Sequence, residues 1–521
     1  MRRGLRRVPW YVAVPALVAG AATLLPIAYL ILRATEADPA TVARLVFRTR
    51  TWALFANTMA LVGGVLALTT LLAVPLAWLV VRTDLRGRNA ITWLSVVPLA
   101  IPGYVMAYAL LGLGGHQGLL SQLAGWSVPR PSGYVGAALA LSLYTFPYLF
   151  LNVRNALLGL DPALEESARS LGQSSAATLR TVVLPQLRPA LLAGWLVVAL
   201  YVLGDFGVVA LMRYETFSYA IYTQYTSAFD RTYAAWLALM LLAMTLSIVL
   251  LEARLLGRRR YARVGGGTAR RAPATKLGAR APLAWTWVAL VLGAALGLPV
   301  LALGAWMALA PPSLATWHAV AATFGRTAAL ALPAALLATV LALPIAVMGA
   351  RVRSATGRTV ERLAYVGYAI PPVALALALV MFALRSAPGL YQTIPLVIAA
   401  YVVSFLALAI GPIRSSLLQI SPRVEEAARS LGRSRFAAFA QTTLRLIGRS
   451  LAASGAMVLM VAMKELPMTF LLAPTGYTTL ADREFSRTNE GMLAEAAPFA
   501  AAVVLFSAAF AGLLLAYEGR R

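Results

Sequence analysis

Long apolar segments recur along the chain and are separated by shorter polar stretches. Each is about 20 residues long or longer, which is the length an α-helix needs to cross the hydrocarbon core of a bilayer. Such spans are predicted near residues 9–32, 53–81, 91–112, 133–152, 190–211, 234–253, 284–309, 327–350, 363–384, 392–413, 450–472 and 498–517. The pattern therefore predicts an all-α integral membrane protein with about twelve spans.

A polar segment of similar sequence occurs twice between these spans. It covers residues 161–174 and returns at 421–434. The charged and glycine positions that recur are Glu165, Glu166, Arg169 and Gly172 in the first copy and Glu425, Glu426, Arg429 and Gly432 in the second. Each copy is predicted to form a polar helical elbow that a cytoplasmic partner can bind.

The local chemistry of the elbow explains this prediction. Asp161 and Ser421 are favourable N-caps, and the proline after each suits the first helical position. In both copies a first-turn glutamate and the arginine four residues later form a favourable pair. The glycine then ends the helix at a position that tolerates positive φ, and Ser174 or Ser434 caps a second short helix.

The repeat extends over a whole half of the chain. Matching positions outside the elbows are Pro75 and Pro344, Arg82 and Arg351, Ile101-Pro102 and Ile370-Pro371, Arg154 and Arg414, and Asp205 and Glu465. Two halves are predicted, 1–255 and 283–521, with cores at about 53–253 and 326–517, elbows at 161–180 and 421–440, and a basic cytoplasmic linker at 256–282. Since each half has an even number of spans, the halves point the same way across the membrane.

Composition supports a membrane protein and removes several other classes. Hydrophobic residues make up 60% of the 521 residues and charged residues 12%, which excludes an ordinary soluble domain. The net charge of +26 reflects lysines and arginines concentrated in cytoplasmic loops, not nucleic-acid binding, and this distribution places both termini in the cytoplasm. Cysteine is absent and histidine occurs twice, so we expect no metal centre and no cofactor on this chain.

Prolines interrupt two of the predicted spans. Pro98 and Pro102 fall in the third span, and Pro371 and Pro372 fall in the ninth. Helix breaks at such positions are tolerated where the freed carbonyl groups face protein or a cavity. Ordinary kinks in packed helices are the alternative interpretation.

Three charged residues lie within predicted spans and are candidate pathway or gate residues. Asp205 lies in the fifth span, and Lys464 and Glu465 lie in the eleventh. They either line the translocation pathway or fix helix packing through ion pairs and hydrogen bonds. Neighbouring residues on a helix do not face each other, so Lys464 is expected to have a partner other than Glu465.

The elbows resemble the cytoplasmic signature of permeases of type I binding-protein-dependent ABC importers. That signature is Glu-Ala-Ala, three residues, Gly, nine residues and then I-x-L-P. The second elbow has Glu426-Ala427-Ala428 and Gly432, and the first has Glu166-Ser167-Ala168, Gly172 and later Leu184-Pro185. The departures are Ser167 in place of the first alanine, and Arg445 in place of the second proline, which leaves the exit from the second elbow open.

Further segments are similar to the fused, two-half permeases of ferric iron importers. They are Ile101 to Val105, Leu203 to Gly207, Phe217 to Tyr222, Lys464-Glu465-Leu466-Pro467, Leu471-Leu472 and Thr478 to Ala481. Related branches import thiamine, polyamines, phosphonates or sulfate. The sequence itself has no obvious ferric site, because hard ferric iron requires clustered carboxylate or phenolate oxygens.

The resemblance implies a multi-pass permease of the bacterial cytoplasmic membrane that is not itself an enzyme. Its implied partners are two copies of a separate ATPase, which carry ATP and Mg, and a periplasmic solute-binding protein. No GxxxxGK[ST] phosphate loop occurs in the chain, so ATP hydrolysis by that route is not expected here. The alternatives are a twelve-span secondary transporter and a membrane scaffold or receptor subunit, neither of which explains two matching elbows.

Overall fold

The computed structural model describes residues 10–36, 38–226, 231–256, 274–351 and 355–518. Within these ranges the chain is helical, and its only β pairing is an isolated bridge between Thr83 and Thr275. The arginines before Val8 and residues 257–273 of the predicted linker lie outside the described residues.

The described part of the first half contains fourteen α-helices, a 3-10 turn at Val97–Ala100 and a π-helical turn at Leu179–Val183. The α-helices are α1 (Trp10–Ala22), α2 (Leu25–Ala34), α3 (Pro39–Val46), α4 (Thr49–Arg82), α5 (Arg88–Val96), α6 (Gly103–Leu113), α7 (Leu119–Ala124), α8 (Gly133–Gly159), α9 (Pro162–Ser170), α10 (Ser175–Thr178), α11 (Leu184–Gly204), α12 (Gly207–Leu211), α13 (Phe217–Thr226) and α14 (Arg231–Leu256).

The second half repeats this order, with 3-10 turns at Gly278–Arg280 and Pro388–Leu390 and a π-helical turn at Gly293–Gly297. Its α-helices are α15 (Ala281–Leu292), α16 (Leu298–Leu309), α17 (Leu314–Arg351), α18 (Ala355–Ala369), α19 (Pro372–Ser386), α20 (Ile394–Gln419), α21 (Arg423–Ser430), α22 (Arg435–Gln441), α23 (Thr443–Leu446), α24 (Gly448–Ala462), α25 (Pro467–Leu472), α26 (Leu480–Asn489) and α27 (Leu493–Glu518).

The described residues contain nine helical stretches that are long and apolar enough to cross a membrane, and up to twelve if three sharply bent helix pairs each count as one span. The predicted all-α membrane fold is therefore confirmed. Two of the bends, of 95° and 103°, fall at the prolines of the third and ninth spans. Ile101, which precedes Pro102, is extended with φ −86° and ψ 118°, because a following proline disfavours helical geometry.

The two halves exchange their first spans. Helix α1 packs on α17 and α18 of the second half, and α15 packs on the equivalent α4 and α5 of the first half. Within each half, α4 packs on α8 and α17 packs on α20. The halves therefore form one intertwined core with approximate twofold symmetry.

The described end of the linker is attached to the first half. The Thr275 amide donates a hydrogen bond to the Arg82 carbonyl at 2.8 Å, and the Asp84 amide donates to the Thr275 carbonyl at 3.2 Å. The Leu277 amide donates to the Asp84 carboxylate at 2.9 Å. The linker therefore returns to the membrane beside the end of α4.

Candidate functional site

The first elbow has the predicted local structure. The Asp161 carboxylate accepts a hydrogen bond from the Ala163 amide at 3.0 Å and caps α9. Gly172 ends the helix with a φ of 84°, which an L-residue adopts only with strain. The Ser174 hydroxyl accepts from the Ala177 amide at 3.2 Å and caps α10.

The second elbow repeats this geometry with a small change at its start. Helix α21 begins at Arg423, one residue later than predicted, and the Ser421 hydroxyl accepts from the Arg423 amide at 3.4 Å. Gly432 has a φ of 85°, and Ser434 caps α22 through the Ala437 amide at 3.2 Å. The positive φ predicted for both glycines is confirmed.

A buried ion pair ties the first elbow to the core. The Glu165 carboxylate lies 2.7 Å from the Arg82 guanidinium at the end of α4, and the two side chains are only 9% and 5% exposed. The predicted pair with Arg169 also forms, at 3.4 Å. Glu166, in contrast, lies on the exposed surface of the elbow.

The second elbow uses a looser version of the same contact. Glu425 lies 3.7 Å from Arg351 at the end of α17, with side chains 30% and 18% exposed, and it accepts a hydrogen bond from the Thr443 hydroxyl. The predicted pair with Arg429 is not formed among the described residues, because the carboxylate turns toward these two partners. Arg429 is exposed, as is Glu426.

Each elbow presents an apolar side chain at its tip. Leu171 and Leu431, the residues before the two glycines, are both 84% exposed. Phe436, in the helix after the second glycine, is also exposed. Exposed apolar groups on an otherwise polar segment are typical of a protein contact surface.

The chain leaves the two elbows differently, as Arg445 in place of the expected second proline suggested. In the first half, Ser175–Gly204 passes through the π-helical turn and forms one continuous candidate span. In the second half, Arg435–Leu446 and Gly448–Ala462 are bent by 67° relative to each other. Arg445 stands just before this bend, where Pro185 opens α11 in the first half.

A cavity of about 280 Å³ lies between the halves where the spans are broken. Its walls include Asp205, Lys464 and Glu465, so the structure brings all three candidate pathway residues together. Equivalent positions of the two halves face it, among them Ile101 with Ile370. The cavity therefore lies at the interface that the duplication creates.

The two carboxylates cap short helices at this cavity. Helix α11 ends at Gly204, inside the span predicted near 190–211, and α12 follows from Gly207. The Asp205 carboxylate accepts from the Val208 amide at 2.9 Å. The Glu465 carboxylate accepts from the Met468 amide at 3.0 Å and the Thr469 amide at 3.3 Å. Each carboxylate satisfies backbone groups that a break exposes.

The lysine bonds to the other half. The Lys464 ammonium donates to the carbonyl of Leu99 at 2.9 Å, a residue in the 3-10 turn just before the break at Pro102. The expectation that Lys464 does not pair with Glu465 is confirmed. A freed carbonyl of the third span is thus satisfied by protein.

The sequence model of the family described as "Binding-protein-dependent transport system inner membrane component" matches residues 70–261 and 339–518, which contain one elbow each. The chain belongs to this family of transport components. The predicted resemblance and the membrane location are thereby confirmed, whereas the half boundaries remain predictions.

Relatives of this permease differ in their cargo. It is 31% identical over 505 residues to the Fe(3+)-transport system permease protein FbpB 2 of Haemophilus influenzae. The aligned region covers 96% of this chain and 97% of the relative. It is 36% identical over 166 residues to a probable molybdenum ABC transporter permease of Haloferax volcanii, covering 31% and 61%. It is 30% identical over 181 residues to the sulfate transport system permease protein CysT of Salmonella typhimurium, covering 33% and 65%.

Four aromatic rings of the permease form a cluster between its halves. The Phe206 ring lies 4.7 Å from Tyr222 and 5.5 Å from Phe485, measured between centroids. The Phe470 ring lies 5.7 Å from Tyr222 and 5.7 Å from Phe485. Because Phe206 and Tyr222 belong to the first half and the others to the second, the cluster joins the halves.

Hydrogen bonds attach α13 and α26, the short helices that carry Tyr222 and Phe485, to α4 and α17. The Phe217 amide at the start of α13 donates to the Thr58 hydroxyl at 3.2 Å. The Leu480 amide at the start of α26 donates to the Thr327 hydroxyl at 3.0 Å. Thr58 and Thr327 are equivalent positions of the repeat, so the two attachments match.

The sequence alone did not single out several cavity residues. Tyrosines 104, 144, 148, 201 and 368 all line the cavity, although they come from four different helices. The one local signal is Tyr144 and Tyr148, which lie four residues apart and therefore on one helix face. Within the described residues no group of three or more His, Cys, Asp or Glu side chains could hold a metal ion.

Proposed function

We propose that the chain is the permease of an ATP-driven importer for ferric iron, in which two copies of a separate ATPase drive alternating access. The observation that carries the choice of iron is the similarity to the Fe(3+) permease of Haemophilus influenzae along 96% of this chain. The molybdenum and sulfate permeases align with about a third of it. In this proposal a periplasmic solute-binding protein delivers the iron, and this chain holds neither ATP nor Mg.

The elbows are the proposed contact surfaces for the ATPases. Their exposed leucines lie on short, capped helices whose orientation the positive-φ glycines fix. The ion pairs of Glu165 and Glu425 join each elbow to the end of a long helix. The surrounding exposed charges, Glu166 and Glu426 among them, complete a polar rim around an apolar contact.

Helices α4 and α17 provide the proposed path from the ATPases to the far side of the membrane. Thr58 to Arg82 and Thr327 to Arg351 cover the same number of residues, which corresponds to about 36 Å at about 1.5 Å per residue. This length exceeds the hydrocarbon core of about 30 Å. A tilt imposed at an elbow therefore moves α13 or α26 at the other end.

The aromatic cluster is the proposed outer gate. Two of its rings, Tyr222 and Phe485, lie on the short helices α13 and α26 that are attached to α4 and α17. The cluster joins rings from both halves. Separating the halves at this end pulls Phe206 from Phe485 and Tyr222 from Phe470. Closure returns the rings to contact and excludes water between the outside and the cavity.

Reconstitution with the ATPase and the binding protein in proteoliposomes tests this function. ATP-dependent uptake of radioactive ferric iron is expected, with no uptake of radioactive molybdate or sulfate under the same conditions. If molybdate or sulfate is taken up and ferric iron is not, the choice of cargo is overturned. If uptake requires an ion gradient instead of ATP, the assignment to ATP-driven importers is overturned. The matched control is the same complex with the phosphate-loop lysine of the ATPase replaced.

A further inference from the structure

The cavity between the halves has two chemically different walls. Tyr144 and Tyr201 of the first half occupy repeat positions held by Ser404 and Val461 in the second, and all four residues line the cavity. Duplication therefore placed matching backbone positions around the cavity, while the side chains diverged. Three of the four phenol groups on this wall, those of Tyr144, Tyr148 and Tyr201, belong to the first half, and Tyr368 belongs to the second.

These phenol groups are joined by hydrogen bonds. The Tyr148 hydroxyl donates to the Tyr201 hydroxyl at 2.6 Å, and their rings stack with centroids 4.7 Å apart. Tyr368 of the second half lines the same cavity. The Tyr144 hydroxyl donates to the Asp205 carboxylate at 3.5 Å. Four phenol oxygens and one carboxylate thus lie along one wall.

The remaining polar groups of the cavity favour a cation. Among the described residues, its charged lining residues are Asp205, Glu465 and Lys464, two potential anions against one cation. Lys464 already donates to the Leu99 carbonyl. Tyr104, which is 5% exposed and also lines the cavity, has a hydroxyl with no hydrogen-bond partner among the described residues.

Phenolate and carboxylate oxygens are hard ligands, which a hard trivalent cation prefers to sulfur or nitrogen. A volume of about 280 Å³ has room for such an ion with several water molecules. Ligation by a phenol breaks its O–H bond, forms an oxygen–metal bond and releases one proton to water.

We propose that this wall is a transit site for one ferric ion, formed by Tyr144, Tyr148, Tyr201, Tyr368 and Asp205. This inference rests on the proposed function. It adds a location within the permease at which the cargo binds. The site belongs mainly to the first half. The second half contributes Tyr368 and the carboxylate of Glu465 across the cavity.

The proposal is tested by iron binding without transport. The purified permease–ATPase complex in lipid nanodiscs is titrated with Fe(III) as its nitrilotriacetate complex, and the visible phenolate-to-iron charge-transfer absorption is recorded. We expect an absorption band that saturates at one iron per permease. Tyr148→Phe and Tyr201→Phe are each expected to weaken iron binding by tenfold or more.

Tyr365→Phe is the matched control, because Tyr365 lies one helical turn before Tyr368, is 44% exposed and does not line the cavity. It is expected to leave the band unchanged. Thermal melting of each variant identifies any that fail to fold, and Tyr144→Phe provides a further variant of the same wall. Equal bands in the wild type and all three cavity variants overturn the site.

Two outcomes separate this proposal from the proposed function. Absence of the band in a complex that imports ferric iron normally overturns the site and leaves the function standing. Absence of both the band and ferric uptake overturns both. Displacement of bound iron by molybdate at equal concentration also counts against the site, since an oxyanion would require the positive charge of Lys464 and not the phenols.

Discussion

Asp205 and Glu465 occupy equivalent positions and make equivalent contacts. Each ends a long helix, caps the short helix that follows and faces the cavity between the halves. The sequence left two interpretations open, helix packing through ion pairs or hydrogen bonds, or a place in the pathway. In the structure, both carboxylates accept hydrogen bonds from backbone amides, and neither pairs with Lys464 among the described residues. The sequence does not reveal these contacts, because the helix breaks that free the amides are not apparent in an apolar span.

Asp205→Asn and Glu465→Gln remove charge while keeping volume. Asparagine is as good an N-cap as aspartate, so we expect the melting temperature of Asp205→Asn to stay within a few degrees of the wild type. Loss of negative charge at the cavity is expected to lower ferric uptake roughly tenfold, equivalent to about 1.4 kcal/mol. Uptake per folded permease is the measurement, and the double variant should be the slowest. Uptake that falls only in proportion to folded protein contradicts a pathway role.

The elbows are the elements that the sequence predicted best. Caps, positive-φ glycines and helix order follow from local chemistry, so a short motif contains nearly all the information. The contacts of Glu165 with Arg82 and of Glu425 with Arg351 were not predicted, although both arginines were recognised as repeat equivalents. These contacts join segments far apart in sequence, and only tertiary packing brings them together.

Arg82→Gln is expected to loosen the first elbow more than Arg351→Gln loosens the second. Removing one partner of a buried ion pair costs about 3–5 kcal/mol, and we expect a smaller cost for the longer and less buried pair of Arg351 with Glu425. Thermal melting of the permease and pull-down of the ATPase measure the two effects. Equal losses in both variants would show that the difference in burial has no energetic consequence.

Gly172→Ala and Gly432→Ala test the elbow geometry without steric conflict. No atom lies within 4 Å of a Cβ built on either glycine, so the expected cost of about 1–2 kcal/mol comes from the left-handed backbone alone. We expect lower ATP-driven uptake with normal membrane insertion. The control is Gly411→Ala, at a helical glycine with equally open surroundings; a similar loss there would argue against a special role for positive φ.

At the scale of the whole molecule, two similar halves enclose a cavity, and one aromatic cluster joins them. The all-α membrane fold and its internal duplication followed from hydrophobic periodicity and repeated motifs. The exchange of first spans did not, because α1 and α15 are apolar on most faces and their sequences do not specify a partner helix. The cavity tyrosines likewise needed the assembled fold to become neighbours.

Disulfide locking tests whether the aromatic cluster opens during transport. The chain has no cysteine, so Tyr222→Cys with Phe470→Cys introduces a single pair across the halves. Oxidation is expected to stop ferric uptake, and reduction followed by removal of the reductant should restore it. The control pair is Phe324→Cys with Phe506→Cys, whose rings are also 5.7 Å apart but belong to one half. Undiminished uptake in the oxidised cross-half variant, with the disulfide verified, contradicts the gate.

The exchange of first spans also has a consequence for biosynthesis. Helix α1 leaves the ribosome about 300 residues before its packing partners α17 and α18. At translation rates of about 5–20 residues per second, this interval is roughly 15–60 s. During that time α1 resides in the bilayer with lipid in place of protein on its future interface, so final closure of the core waits until most of the second half has been synthesised.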